Sequence, residues 1–142
     1  MMHEYIDFLM RHWALSLAAV VLIVMLLGNE MTRGLQKFRD MTAAEFARLI
    51  GRENVVLIDV RETDEFRGEH IKGARHVALG TVASKLSEFE KHKADQILLY
   101  CRSGNRSASA ANMFAKAGFT QVAHLAGGIT AWKAEKFPVV RK

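Results

Sequence analysis

From Trp13 to Leu27 the chain reads WALSLAAVVLIVMLL, a run in which Ser16 is the single polar residue. A helix over Leu17 to Leu27 is apolar on every face, so it has no polar side to show water at the surface of a soluble domain. The run spans about 22 Å as a helix, and about 28 Å if carried on to Met31, near the lower limit for a hydrocarbon core of roughly 30 Å. Arg11 and Glu30 would stand at the two headgroup regions, with Trp13 at an interface. A cleaved signal peptide fits poorly: Glu4 and Asp7 precede Arg11, and Leu26-Leu27-Gly28-Asn29-Glu30 offers no small-x-small site. A buried core helix is the plain alternative. The pattern predicts an uncleaved membrane anchor over residues 13–31 behind a short N-terminal tail, residues 1–12. Arg33, Lys37 and Arg39 follow the run where Arg11 alone precedes it, which predicts a single pass through the inner (cytoplasmic) membrane with the C-terminal part facing the cytoplasm. Residues 32–40, TRGLQKFRD, read as a basic linker.

Residues 41–142 are enough for one domain with its own core. Of the 142 residues in the chain, one is cysteine, which excludes an intramolecular disulfide framework. The six histidines show no pair at metal-ligand spacing, so no metal site is expected. Twenty Lys+Arg against fifteen Asp+Glu leave a charge of +5, but no stacking aromatics are interleaved with the basic residues, and no nucleic-acid partner is expected.

Short apolar runs alternate with helical patterns along this domain. Thr42-Ala43-Ala44-Glu45 has the form of a capping box, opening a helix to about Ile50 with Gly51 as its stop. Val55–Ile58, Ile97–Tyr100 and Val122–Leu125 predict buried strands, with a shorter one over His76–Leu79. Helices are expected over residues 63–68, 81–92, 107–117 and 129–136. Strands separated by helices imply an α/β domain, a mainly parallel sheet flanked by helices. Its ligand site belongs at the carboxyl ends of the strands. Asp59-Val60-Arg61 and Cys101-Arg102 stand there.

Cys101-Arg102-Ser103-Gly104-Asn105-Arg106-Ser107 lies between a strand and a helix. Loop amides and the first helical turn can converge there into an anion cradle. A cysteine in the cradle is expected to ionise readily, helped by the helix dipole, Arg102 and Arg106, and so to be nucleophilic at neutral pH. Gly104 permits a tight turn, and Asn105 tolerates a left-handed conformation. A lone cysteine at a strand end is commonly a small buried hydrophobe. Two arginines and a glycine within five residues favour the reactive reading.

Cys-Arg-x-Gly-x-Arg resembles the active-site loop of the rhodanese family. Leu57-Ile58-Asp59-Val60-Arg61 is similar to that family's first-strand motif. Glu65-Phe66, His70-Ile71 and Gly73-Ala74 resemble its Glu-aromatic-x-x-Gly-His-Ile-x-Gly-Ala block, and Gly127-Gly128-Ile129 with Trp132 its closing Gly-Gly-x-x-x-Trp. The four blocks stand in family order over about residues 41–138, and with the anchor the chain resembles small membrane-anchored bacterial rhodaneses. Glu69 replaces the usual Gly, and Ala78 stands where the family has Pro.

The resemblance implies a three-layer rhodanese-like fold and sulfurtransferase chemistry without a cofactor. Cys101 would take a sulfane sulfur from a small anionic donor such as thiosulfate and pass it, as a persulfide, to a thiol, a protein thiol or cyanide. Arg102, Ser103, Gly104, Asn105 and Arg106 would bind the donor, while Asp59, Arg61 and Ser107 would support the loop. Gly127 and Gly128 are expected to let backbone pass close to that loop, Trp132 to be core, and His70 to serve a turn. Two other functions stay open. A related fold carries phosphatases, but a phosphate wants Cys-x5-Arg, whereas Arg106 makes Cys-x4-Arg and Ser107 takes the next position. The domain could also be a membrane-tethered docking module with little turnover.

Overall fold

The computed structural model describes residues 1–34 and 37–141 and no side chains at 30 and 32–34. The chain divides into two compact units, residues 1–36 and 37–142. In the first, α1 (Met2–Arg11) and α2 (Trp13–Gly34) are separate helices. The tail expected over residues 1–12 is thus a helix, because Met2, Tyr5, Ile6 and Leu9 recur at helical spacing along one side. His12 ends it with a non-helical ψ of 39°. The apolar side chains of α2 from Val20 to Leu27 are all exposed.

The described residues carry the expected span, 13–31, within the single helix α2. Among them no single helix is long and apolar enough to cross a membrane; Met2–Arg11 and Trp13–Asn29 reach that length only together, bent by 93°. The flanking side chains Glu30 and Arg33, and residues 35 and 36 of the expected linker, lie outside the described residues.

In the second unit five strands form one parallel sheet in the order β1-β5-β4-β2-β3. They are β1 (Arg39–Met41), β2 (Val55–Asp59), β3 (Arg75–His76), β4 (Gln96–Tyr100) and β5 (Gln121–Leu125). The three apolar runs become β2, β4 and β5 at the sheet's centre, where helices cover both faces. Alternation sends Val56, Ile58, Ile97, Leu99 and Val122 to one core and Leu57, Leu98, Tyr100, Ala123 and Leu125 to the other.

The helices are α3 (Ala43–Leu49), α4 (Thr63–Gly68), α5 (Val82–Lys85), α6 (Asn105–Lys116) and α7 (Gly128–Ala134). α3 opens on the expected box, with Thr42 Oγ1 accepting from Glu45 N and Glu45 reaching back to Thr42 N at 2.8 Å. The helix expected over 81–92 is instead the single turn α5 followed by a 3₁₀ stretch, Leu86–His92. The strand expected over His76–Leu79 shortens to Arg75–His76, since Leu79 already begins a 3₁₀ turn. Arg39 and Asp40, read as linker, are strand residues paired with Ala123 and His124. Ala78 keeps φ at −55°, the angle a proline would impose, so the missing proline leaves this turn unchanged.

Candidate active site

Cys101 follows β4 directly, and α6 begins four residues later. Its side chain is 1% exposed. The Gly104 amide donates to Sγ at 3.0 Å, and Ser107 Oγ lies 3.5 Å from the sulfur. Burial pushes the thiol pKa up. The Ser107 hydroxyl and the amides of Ser107, Gly104 and Ser103 outweigh it, and the thiol ends below its ordinary value. Gly104 makes the turn possible with φ at 110°. Asn105, expected to tolerate a left-handed conformation, is instead the first residue of α6.

The two loop arginines sit differently. Arg106 gives both its terminal nitrogens to Glu65 of α4, at 2.7 and 3.0 Å. That bidentate pair holds the Glu65 carboxyl down to about 2 and ties α6 to α4. Arg106, read as a donor-binding residue, therefore has its guanidinium committed to bracing. Arg102 is exposed and makes no ion pair among the described residues. It lines a cavity of about 340 Å³ with Arg61, Glu65, Glu69, Thr130 and Lys133.

Asp59 and Arg61, expected to support the cysteine loop, are paired with each other. Both are buried, and Arg61 Nη2 meets Asp59 Oδ2 at 2.8 Å and the Glu69 carbonyl at 2.6 Å. The Tyr100 ring lies under the guanidinium. Glu69 gains a role of its own, for its carboxylate pairs with Lys133 of α7. His70 serves its turn: Nδ1 contacts the Phe66 carbonyl at 2.9 Å.

The Gly127-Gly128 pair lies against the cysteine loop. Ile129 N donates to the Cys101 carbonyl at 2.8 Å, and Thr130 donates to the Arg102 carbonyl through N at 3.2 Å and Oγ1 at 2.9 Å. Gly128 has φ at 61°, and a Cβ there would fall 2.4 Å from the Arg102 carbonyl and 2.5 Å from that of Cys101. Trp132 is core, with its indole N–H given to the Pro138 carbonyl.

Two polar residues behind Ser107 escaped the reading of the sequence. His124 is buried in β5, with Nδ1 3.0 Å from Ser107 Oγ and Nε2 2.7 Å from Asp40 Oδ1. The available signal was a histidine inside an otherwise apolar strand run. Its partner stood in a segment read as linker.

A parallel sheet carrying a cysteine at a strand end, its sulfur accepting from a loop amide just ahead of the following helix, is the arrangement of an α/β protein of the rhodanese kind. The Rhodanese-like domain family model matches residues 42–135, and the chain belongs to that family. It is 36% identical over 141 residues to the uncharacterized protein YibN of Escherichia coli, covering 99% of both chains. To the thiosulfate sulfurtransferase GlpE of Coxiella burnetii it is 34% identical over 100 residues, covering 68% of this chain and 89% of that one. A crystal structure of a rhodanese-related protein from Thermoplasma volcanium superposes with a TM-score of 0.66 at 27% identity, over 74% of this chain and all of that one.

Proposed function

We propose that the domain is a sulfurtransferase that carries a sulfane sulfur on Cys101. The observation that carries the proposal is the sulfur itself, bound by the Gly104 amide and ionising below the ordinary thiol range. The Cys101 thiolate attacks the outer sulfur of thiosulfate. A sulfur–sulfur bond forms at Sγ, the donor's own sulfur–sulfur bond breaks, and sulfite leaves with the electron pair. The loop amides stabilise the charge of the new persulfide, and Arg102 draws in the anionic donor. An acceptor thiolate then takes the outer sulfur and restores the Cys101 thiolate. The relative named as a thiosulfate sulfurtransferase supports this choice of donor.

Phosphate-ester hydrolysis is the weaker reading. Ser107, at the position where a phosphate loop ends in Arg, is buried and already bonded within the protein, and Arg106 is held by Glu65. We assign the N-terminal unit to a membrane anchor, with the domain on the cytoplasmic side. Its support is the apolar surface of α2 and the basic residues Lys37 and Arg39 that follow it.

The test incubates the full chain in detergent with thiosulfate, removes the donor and weighs the intact protein. A gain of one sulfur atom, absent from Cys101→Ser, is expected. No gain from thiosulfate or any other sulfane donor would leave a docking module as the better description. For the anchor, wild-type protein should stay with the membrane after a carbonate wash, and release into the supernatant would overturn that assignment.

A further inference from the structure

Four side chains from four parts of the chain form one line beneath α6. Cys101 Sγ is 3.5 Å from Ser107 Oγ, which is 3.0 Å from His124 Nδ1, whose Nε2 is 2.7 Å from Asp40 Oδ1. Sheet geometry sets up this line. Asp40 and His124 are register partners between β1 and β5, and Leu99 of β4 is the register partner of His124. Cys101 lies two residues beyond Leu99 and so shares its face. Ser107 and Cys101 are fully buried, His124 is 7% exposed, and only Asp40, with a side chain 62% exposed, meets water.

The proton positions follow from what each group can do. A carboxylate only accepts, so His124 Nε2 carries a hydrogen and gives it to Asp40. In the neutral ring Nδ1 is then an acceptor, and the donor facing it is the Ser107 hydroxyl. A serine oxygen that donates its hydrogen still has lone pairs for the Cys101 S–H. The Gly104 carbonyl, 3.1 Å from Ser107 Oγ, is the alternative acceptor for that hydroxyl.

We propose that Ser107, His124 and Asp40 form a relay that takes the thiol proton of Cys101 and holds it as an imidazolium inside the protein. The thiol proton passes to Ser107 Oγ while the serine's own proton passes to His124 Nδ1. What remains is a thiolate accepting from an intact Ser107 hydroxyl, and an imidazolium donating from both nitrogens, to Ser107 and to Asp40. No proton is lost, and the two charges formed are opposite. His124 is a positioning residue, since it acts on the sulfur through Ser107.

Arg106 faces Cys101 from α6 with Glu65 of α4 bound to it, β4 offers Leu99, and Phe38 stands edge-on to the imidazole at 5.5 Å. Arg106 favours the thiolate at every pH at which it is charged.

The relay rests on Cys101 as the reactive thiol but needs no sulfur donor for its test, so failure of sulfur loading and failure of the relay are separate results. The chain has one cysteine, so iodoacetamide labelling of the full chain in detergent reports Cys101 alone. The rate is measured against pH for wild type, His124→Gln and Asp40→Asn. Glutamine keeps a donor and an acceptor but cannot hold a proton. The midpoint of His124→Gln is expected to move up by about one pH unit, about tenfold less thiolate below the midpoint. Asp40→Asn is expected to shift the same way by less. A folded His124→Gln protein with the wild-type midpoint would overturn the proposal. If that variant does not fold, Asp40→Asn decides, its side chain being largely exposed: an unchanged midpoint there overturns the relay equally. As an independent readout, the NMR titration of the His124 ring should move down in pH once Cys101 is alkylated, because the thiolate beside it is gone; a titration that stays in place would contradict the relay.

Discussion

Gly128→Ala offers a sharp test of how the cysteine loop is held. The new methyl would lie 2.4 Å from the Arg102 carbonyl and 2.5 Å from that of Cys101, against the roughly 3.5 Å at which such atoms rest. Both obstacles are backbone, so no side chain can swing aside. Relief means moving α7 off the loop by about 1 Å, which breaks the Ile129 and Thr130 amide bonds to those same carbonyls. A φ of 61° adds left-handed strain of about 1–2 kcal/mol. With overpacking of about 1–3 kcal/mol and about 1 kcal/mol for each of the two hydrogen bonds, the loss is on the order of 5 kcal/mol. Gly73→Ala is the internal control: φ is 87°, but nothing lies within 4 Å of its Cβ, so it should lose only about 1–2 kcal/mol. Thermal unfolding of the full chain by near-ultraviolet circular dichroism should show Gly128→Ala lower by roughly 15 °C and Gly73→Ala by roughly 5 °C. Equal losses at the two sites would refute close backbone approach as the reason for Gly128.

Three further outcomes follow from the same geometry. The Glu65–Arg106 pair lowers the Glu65 carboxyl from 4.5 to about 2, so its stabilisation is complete above pH 4.5 and disappears as pH falls through about 2. Urea titrations should place Glu65→Gln about 1 kcal/mol below wild type at pH 7, with the gap closing towards pH 2; a gap independent of pH would contradict the pair. Tyr100→Phe removes the buried hydroxyl that accepts from Ile71 N at 3.0 Å and strands that amide. It should lower stability by about 1–3 kcal/mol in the same titrations, and a variant as stable as wild type would show that the bond contributes nothing. Arg102→Ala should raise the thiosulfate concentration for half-loading about tenfold while leaving the iodoacetamide midpoint in place, since the proposed function gives the exposed guanidinium to the donor and not to Sγ. A shifted midpoint would place its charge on the thiol instead.

Much of this domain is written locally. Val55–Ile58, Ile97–Tyr100 and Val122–Leu125 are short and wholly apolar, and only a strand covered on both faces accommodates such runs. Cys101, Gly104 and the following helix are contiguous, so the cradle for the sulfur is a local structure that the residues spell out directly. The same holds for the Thr42–Glu45 cap and the Gly127-Gly128 approach to the loop. Elements decided by longer-range contacts were not legible. β1 is three residues with no apolar alternation, and it is a strand because β5 offers it an open edge. The stretch after Thr81 has helical spacing, yet it forms one α turn and then 3₁₀ turns.

The electrostatics of the site divide along the same line. Composition and spacing placed two arginines near one cysteine, but spacing cannot say which of them is free. Glu65, forty-one residues before Arg106, takes that charge, and Arg102 stays open to solvent. Asp40 and His124 are eighty-four residues apart, and Ser107 lies between them in sequence. Hydrogen bonds act over about 3 Å in space whatever the separation along the chain. The sequence by itself therefore determined the cysteine and its cradle, and parallel pairing of β1 with β5 decided which groups stand behind Ser107.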